Sequence, residues 1–424
     1  MSRGPLAIVL HTHMPYVEGF GTWPFGEEWL WEAIATSYLP LLDVLDAAPG
    51  RITLSLTPVL ADQLEAPGAL ERCLRFLRDV RAETHRRDIA LARPAEAAAL
   101  ERSAERYARA ADALEGRGDL VRAFAPHVRW TSAATHAVLP LLATDAGVRL
   151  QLETGIAAHR ARFGAWGGGL WLPECAYEPW LDEALAEAGV RAACVDFTDL
   201  GLDRPLRTAA GPLLVPIDRA TIELVWSERG YPSRAPYRDS HALTTYQHRA
   251  WAIGGTVYDE AAAERQARAD ARDFVQRARG VCALDTELLG HFWHEGPIWL
   301  AAVIEECEDL RPLDELLGDA EAAPAELPPT SWGSARDLST WSAPAAGGLA
   351  WRQRSAELRM AGAPARALRE LLALQSSDWA FQIANGTAGD YPRERFEGHS
   401  AAFEAGLGGE LEPELRNLAP WIKA

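Results

Sequence analysis

Short apolar runs, each closed by a polar residue and followed by a helical pattern, recur along this chain. Residues 6–10, 52–57, 125–132, 170–172, 191–197 and 280–284 have the length and character of buried strands, and 213–217 and 222–226 are strand-like as well. Residues 52–57 alternate at period two and stop at Pro58. Between these runs apolar positions fall at helical spacing. A helix is expected through about Leu45, two or three amphipathic helices from Gly68 to about Leu120, one helix near 181–188, and one from about Glu260 to Arg279. Repetition of strand, polar loop and helix predicts a parallel α/β sheet, most simply a barrel. The Pro/Ala/Glu-rich stretch 319–330 reads as a linker. It divides the chain into a barrel over 1–318, with a helical insertion about 68–120, and an α-helical region over 331–424. In the latter, helices are expected at 351–360, 364–374 and 392–407, with Ser376–Trp379 interrupting them.

The polar residues that close the strands carry the chemistry. His11, His13, His136, Glu174, Asp196 and Asp285 each stand at or just past a predicted strand end. In a parallel barrel such positions converge on one face. His11 and His13 share a face of an extended segment, which suits either a metal site or two neutral donors to sugar hydroxyls. The stretch 284–296, LDTELLGHFWHEG, places Asp285, Glu287, His291, Trp293, His294 and Glu295 among glycine and apolar neighbours. Its plain alternative is a strand end capped by a polar loop. Glu174 follows Pro173, which fixes φ, so a stiff extended frame is expected there. One acid at each of two converging strand ends is what glycosidic bond chemistry requires, and Glu174 and Asp285 are the candidate pair.

Composition narrows the class. The 424 residues are 48% hydrophobic, enough for a large core and more than one domain. A net charge of −18 argues against nucleic acid or an anionic membrane as partner and suits a neutral substrate. Five cysteines without CxxC spacing read as reduced thiols in a cytoplasmic protein, and the N-terminal apolar run is too short for a signal peptide or a membrane span. Sixteen tryptophans supply stacking faces for sugar rings. His85 is expected at the surface. The loop 227–240, with Tyr231, Tyr237 and Arg238, is either a lid over the site, Tyr231 at its tip, or an ordinary mobile connector.

Together LHTHMPY at 10–16, WPFGEE at 23–28, WLPE at 171–174, VDF at 195–197, LDTELLGHFWHEG at 284–296 and SSDWAF at 376–381 resemble glycoside hydrolase family 57, and within it the α-1,4-glucan branching enzymes. The resemblance implies an incomplete (β/α)₇ barrel with a helical C-terminal domain and a retaining mechanism without metal or cofactor. It implies Glu174 as nucleophile and Asp285 as general acid/base. It places His11, His13, His136, Asp196, His291 and Trp293 around the donor sugar, and Trp23, Trp341 and Asp378 in the glucan groove. Tyr231, Arg238 and Trp379 complete the candidate substrate contacts, with Trp341 as a stacking face for the acceptor. The chain is short for a branching member, its 227–240 loop is trimmed, Tyr246 stands where tryptophan is usual, and PAAGG separates Trp341 from Trp351. An α-glucan substrate, cytoplasmic location and a monomer or homodimer follow as expectations. The competing readings are an α-glucan hydrolase or 4-α-glucanotransferase of the same family, a metal-dependent barrel hydrolase using His11 and His13, and a glucan-binding protein without turnover.

Overall fold

In the computed structural model, which describes residues 5–22, 25–318, 320–324, 326–409 and 417–422, the short apolar runs assemble into one curled sheet. Its strands are β1 (Leu6–Thr12), β2 (Thr53–Leu56), β3 (Val128–Ser132), β4 (Gly169–Trp171), β5 (Ala192–Val195), β6 (Leu206–Arg207), β7 (Leu213–Pro216), β8 (Gly280–Asp285) and β9 (Glu321–Ala322). The order is β8-β1-β2-β3-β4-β5-β7-β6-β9. The stretch from β8 to β7 is parallel throughout, β6 runs antiparallel to β7, and β9 pairs with β6. No ladder joins β7 to β8 among the described residues. The Asp218 N–H to Val281 O bond at 2.8 Å brings the two edges together, so the barrel is curled but incomplete.

Strands β1, β2, β4, β5 and β7 are buried along their whole length. Near-continuous apolar runs are what a parallel sheet covered on both faces demands. Helices cover the outside. The helix Glu260–Arg277 starts where the Asp259 carboxylate accepts from Ala261 and Ala262 N–H, and it buries Ala263, Ala267, Ala271 and Phe274, one stripe at helical spacing. Register aligns the strand ends that matter: His11 pairs with Ser55 on one side and with Asp285 on the other.

Three local expectations fail for identifiable reasons. Residues 222–226 are not a strand; the Asp218 carboxylate caps a short helix, Arg219–Glu223, by accepting from Thr221 N–H. Ser376–Trp379 does not interrupt the helices but opens one, Ser377–Ala384. The expected linker is partly tied to the sheet, through β9 and through Thr330 N–H to Tyr177 O at 2.9 Å. Asp319 and Ala325 lie outside the described residues.

The remaining helices past residue 330, Gly347–Glu357, Ala365–Leu374 and Tyr391–Gly408, surround a core of their own with Leu368, Leu371, Trp379, Phe396 and Phe403. This region docks on the loop after β3 through the bridge Ala137–Ser376, and the bridge Tyr177–Thr330 ties the segment that leads into it to the loop after β4. Among the described residues no helix is long and apolar enough to cross a membrane.

Candidate active site

β4 ends at Trp171 and the chain turns sharply over Pro173–Cys175. Glu174 is not extended, as its proline suggested, but left-handed, at φ 63° and ψ 19°. His136, past β3, has φ 61°. Such backbone costs a non-glycine residue on the order of 1 kcal/mol and persists where the surroundings hold it. Here they do. Trp332 N–H donates to Glu174 O at 3.0 Å, and the Trp332 indole N–H donates to Glu174 Oε2 at 2.9 Å. The Ser377 hydroxyl donates to Glu174 Oε1 at 2.9 Å. Both oxygens of one carboxylate are therefore fixed by residues from the chain beyond residue 330.

A directed chain of hydrogen bonds leads into that carboxylate. Ser55 Oγ lies 3.3 Å from His11 Nδ1, His11 Nε2 lies 2.9 Å from His136 Nε2, and His136 Nδ1 lies 2.8 Å from Ser377 Oγ. Burial pushes both imidazoles well below their ordinary pKa, so both are neutral. Ser377 spends its proton on Glu174, so His136 must carry its hydrogen on Nδ1. Its bare Nε2 then accepts from His11 Nε2–H, and Ser55 donates to His11 Nδ1. His11 also stacks on Trp171 at 4.7 Å, whose ring meets Trp332 at 5.1 Å.

Asp285 is built differently. It simply ends β8, partly open to solvent. Among the described residues no hydrogen bond reaches its carboxyl. Burial first, then the charges of Glu287, Glu174 and Asp378, pushes it well above the ordinary range. Glu174 is raised only to about 6, because burial is opposed by its two donors. Glu287, raised by burial to about 7, accepts from Tyr38 Oη at 2.6 Å and His13 N–H at 3.2 Å. His13 is the cation among these acids: burial pulls it down, but Asp378, 3.3 Å away, together with Glu287 and Glu174 carries it above its ordinary value. A proton is thus held at Asp285 under conditions where Glu174 is ionised. Among the described residues no three His, Cys, Asp or Glu side chains are arranged to hold a metal ion.

The turn beneath Asp285 depends on a tight contact. Ser37, in the π-helical turn Ile34–Tyr38, donates to Thr286 O at 3.1 Å. Gly290, at φ +107°, lies so close that a Cβ would stand 1.9 Å from Thr36 O.

Residues 130–308 match the sequence profile of glycosyl hydrolase family 57, and residues 349–408 match that of the 1,4-alpha-glucan branching enzyme C-terminal region. The chain is 31% identical to a probable 1,4-alpha-glucan branching enzyme of Mycobacterium tuberculosis, over 98% of this chain and 94% of that protein. The chain belongs to glycosyl hydrolase family 57. Its fold matches the crystal structure of a family 57 branching enzyme from Pyrococcus horikoshii with a TM-score of 0.87 and 28% identity, covering 97% of this chain and 92% of that one. The structure of a family 57 branching enzyme from Thermococcus kodakarensis in complex with glucose also matches at 0.87, with 29% identity over 95% of this chain and 90% of that one.

Set against the family 57 expectations, the site gathers Glu174, Asp285, His11, His13, His136 and Asp378 at the barrel mouth. His11 and His136 are buried and belong to the hydrogen-bond chain that runs through Ser377 to the Glu174 carboxylate. Asp196 is taken up by Arg219 at 2.5 Å and Thr198 at 2.6 Å; Arg219 in turn donates to Trp332 O, so Asp196 supports the indole that grips Glu174. Trp293 and Trp379 are core residues, 2% and 0% exposed, and offer no ring face to a ligand. Trp341 packs with Val138 and Ala176. Tyr231 and Tyr237 are buried, with hydroxyls on Asp273 and Asp270 of the helix Glu260–Arg277. Tyr231 is therefore an anchor and not a lid tip. His85 is likewise buried, against His248 and Ser103. Arg238 and His291 line a different cavity. Trp23 lies outside the described residues. Trp332, Ser377 and Glu287 were not singled out from sequence as substrate or catalytic groups. For Ser377 a signal was present, in SSDWAF beside Asp378; for Trp332 only its place in a loop-rich tryptophan series.

Proposed function

We propose that this chain is a retaining α-1,4-glucan branching enzyme, with Glu174 as nucleophile and Asp285 as general acid/base. The relatives support the activity. The observation that carries the roles is the unequal dressing of the two carboxyls: Glu174 accepts two hydrogen bonds that favour its anion, whereas Asp285 accepts none and keeps its proton. In the first step a Glu174 oxygen attacks C1 of the donor glucose while Asp285 gives its proton to the departing 4-oxygen. A covalent glucosyl-enzyme and a shortened glucan result. In the second step ionised Asp285 takes the proton of an acceptor 6-hydroxyl, whose oxygen displaces Glu174 from C1 and forms the α-1,6 branch. His13 and Asp378, both partly open, are the groups placed to bind ring hydroxyls of the donor. The same reading divides the chain into a barrel at 1–318 and a helical region at 331–424 that completes the groove.

Incubation with amylose followed by enzymatic debranching tests this. New α-1,6 linkages and a set of short released chains are expected. Reducing ends that grow without new α-1,6 linkages would instead make it a hydrolase, and redistribution of α-1,4 chain lengths alone a 4-α-glucanotransferase.

A further inference from the structure

A cavity of about 710 Å³ lies apart from the barrel-mouth cluster, and neither Glu174 nor Asp285 lines it. Its walls come from the helices Glu27–Ala33 and Pro94–Arg117, the segment 238–249 and the start of the helix Gly296–Glu306. In a chain of net charge −18, five arginines face it: Arg81, Arg106, Arg109, Arg238 and Arg249. Four carboxylates are also present. Glu32 is paired with Arg81, Asp43 with Arg117 and Glu260 with Arg106, while Arg109 leans on Glu105. Glu28 remains on one side, Arg238 and Arg249 on the other.

Arg238 is the decisive residue. It is 7% exposed, makes no ion pair among the described residues, and its Nε has no hydrogen-bond partner. Its guanidinium lies 4.2 Å over the Tyr258 ring, and the nearby acid, Glu295, accepts its backbone N–H. Arg106 Nη2, on the same cavity, is also buried without a partner. Arg249 gives one N–H to His291 O at 2.8 Å. His291 and His294 are held neutral, by burial and then by Arg249 and Arg238 respectively. Glu295 is a charge neighbour of Arg238 but accepts none of its guanidinium N–H groups. A buried guanidinium N–H without an acceptor is costly, and a bound anion that accepts it removes that cost. Arginine's fork matches a phosphate group in particular. At the rim Trp29 and the exposed Phe292 offer apolar ring faces of the kind that stack on a sugar.

We propose that this cavity binds a phosphate ester of glucose, its phosphate on Arg238 and Arg249 and its ring against Trp29 and Phe292. The ester is either a free sugar phosphate or a phosphoryl group carried on a glucan chain; the shared chemistry is the same, and it does not depend on the reading of the barrel mouth. The test is titration calorimetry on the full chain with glucose 6-phosphate, a 6-phosphorylated dextrin, inorganic phosphate and maltotriose. Glucose 6-phosphate or the phosphodextrin should bind at least tenfold more tightly than maltotriose. Arg238→Met and Arg249→Gln should each weaken that binding at least tenfold, and Trp29→Ala should weaken the ester but not inorganic phosphate. Binding of glucose 6-phosphate without the phosphodextrin assigns the free metabolite, and the reverse assigns the chain. Should Arg238→Met fail to fold, by its thermal melt, the half-buried Arg249→Gln decides. Ester affinity unchanged in Arg249→Gln, or maltotriose bound as tightly as the ester and lost in the same variants, overturns the proposal.

Discussion

The ends of β4 and β8 stand on the same face of the barrel and each presents one carboxyl, yet they are made in opposite ways. Asp285 continues its strand with ordinary backbone, and the groups that act on it are burial and neighbouring acids. Glu174 sits in a left-handed turn, both oxygens gripped by donors 158 and 203 residues further along the chain. One end is finished by its own strand; the other is finished by the helical region docked above it. Of this pair, the unheld acid keeps its proton and the held one releases it. The helical region is therefore part of the nucleophile's electrostatics, besides any role in shaping a groove.

The largest effect to expect is loss of the nucleophile. Glu174→Gln should lower branching about 10⁴-fold. Asp285→Asn should cost roughly 10²–10⁴-fold. An aryl glucoside whose leaving group needs no proton separates the two. It should restore the first step in Asp285→Asn and leave Glu174→Gln inert; recovery in the opposite variant would exchange the roles. The same substitution tests the cost of holding an acid there. Glu174 in the folded chain titrates at about 6 against an ordinary 4.5, so the folded state binds more protons and stability falls as pH rises through that window. That gap is worth about 2 kcal/mol at pH 7. Glu174→Gln should accordingly melt higher than wild type at pH 7.5, with the difference shrinking towards pH 4. A melting difference that does not change with pH would remove the electrostatic explanation.

Next in size are the grips themselves. Ser377→Ala and Trp332→Phe each remove one donor that lowers the Glu174 pKa. Hydrogen bonds to a charged group contribute roughly 1.5–3 kcal/mol, and one pH unit is about 1.4 kcal/mol, so the acid limb of kcat/KM should move up by about one unit or more. Activity at pH 6 falls much more than activity at pH 8. A uniform loss at every pH, with KM rising, would instead make Ser377 and Trp332 substrate contacts.

How far the sequence could carry this follows the same contrast. Strand ends are local, so His11, His136, Glu174 and Asp285 were legible as apolar runs closed by polar residues, and a parallel α/β sheet follows from their repetition, while the incomplete seven-stranded barrel was implied by the family resemblance. What depends on distant packing was not. Nothing near Glu174 in sequence announces Trp332 or Ser377, and Pro173 pointed to an extended residue where tertiary contacts hold a left-handed one. Tyr231 between glycine and proline reads as a loop tip, but its ring is drawn against Phe274 and its hydroxyl onto Asp273. Residues 222–226 read as a strand by apolar content, while the Asp218 cap decided for helix. The arginine-lined cavity is assembled from several separate segments and left no contiguous motif.

The smallest effect tests the β8 side alone. Tyr38 is fully buried in the π-helical turn and donates to Glu287. That bond lowers the Glu287 pKa, and the Glu287 charge in turn helps to raise that of Asp285. Tyr38→Phe removes a hydroxyl and keeps the ring, so packing against Phe124 is retained. Glu287 then stays protonated to higher pH, less negative charge faces Asp285, and the Asp285 proton leaves sooner. The alkaline limb of the rate profile should move down by a few tenths of a unit, the scale of one neutral hydrogen-bond donor acting at second hand. Ser377→Ala raises the acid limb and Tyr38→Phe lowers the alkaline one, so the two variants narrow the same bell from opposite sides. Their double variant should show both displacements added, because the donors act on different carboxyls. If Tyr38→Phe moves the acid limb instead, Glu287 and not Asp285 sets the proton inventory at this strand end, and the contrast between a held acid and an unheld one must be redrawn with Glu287 as the second partner.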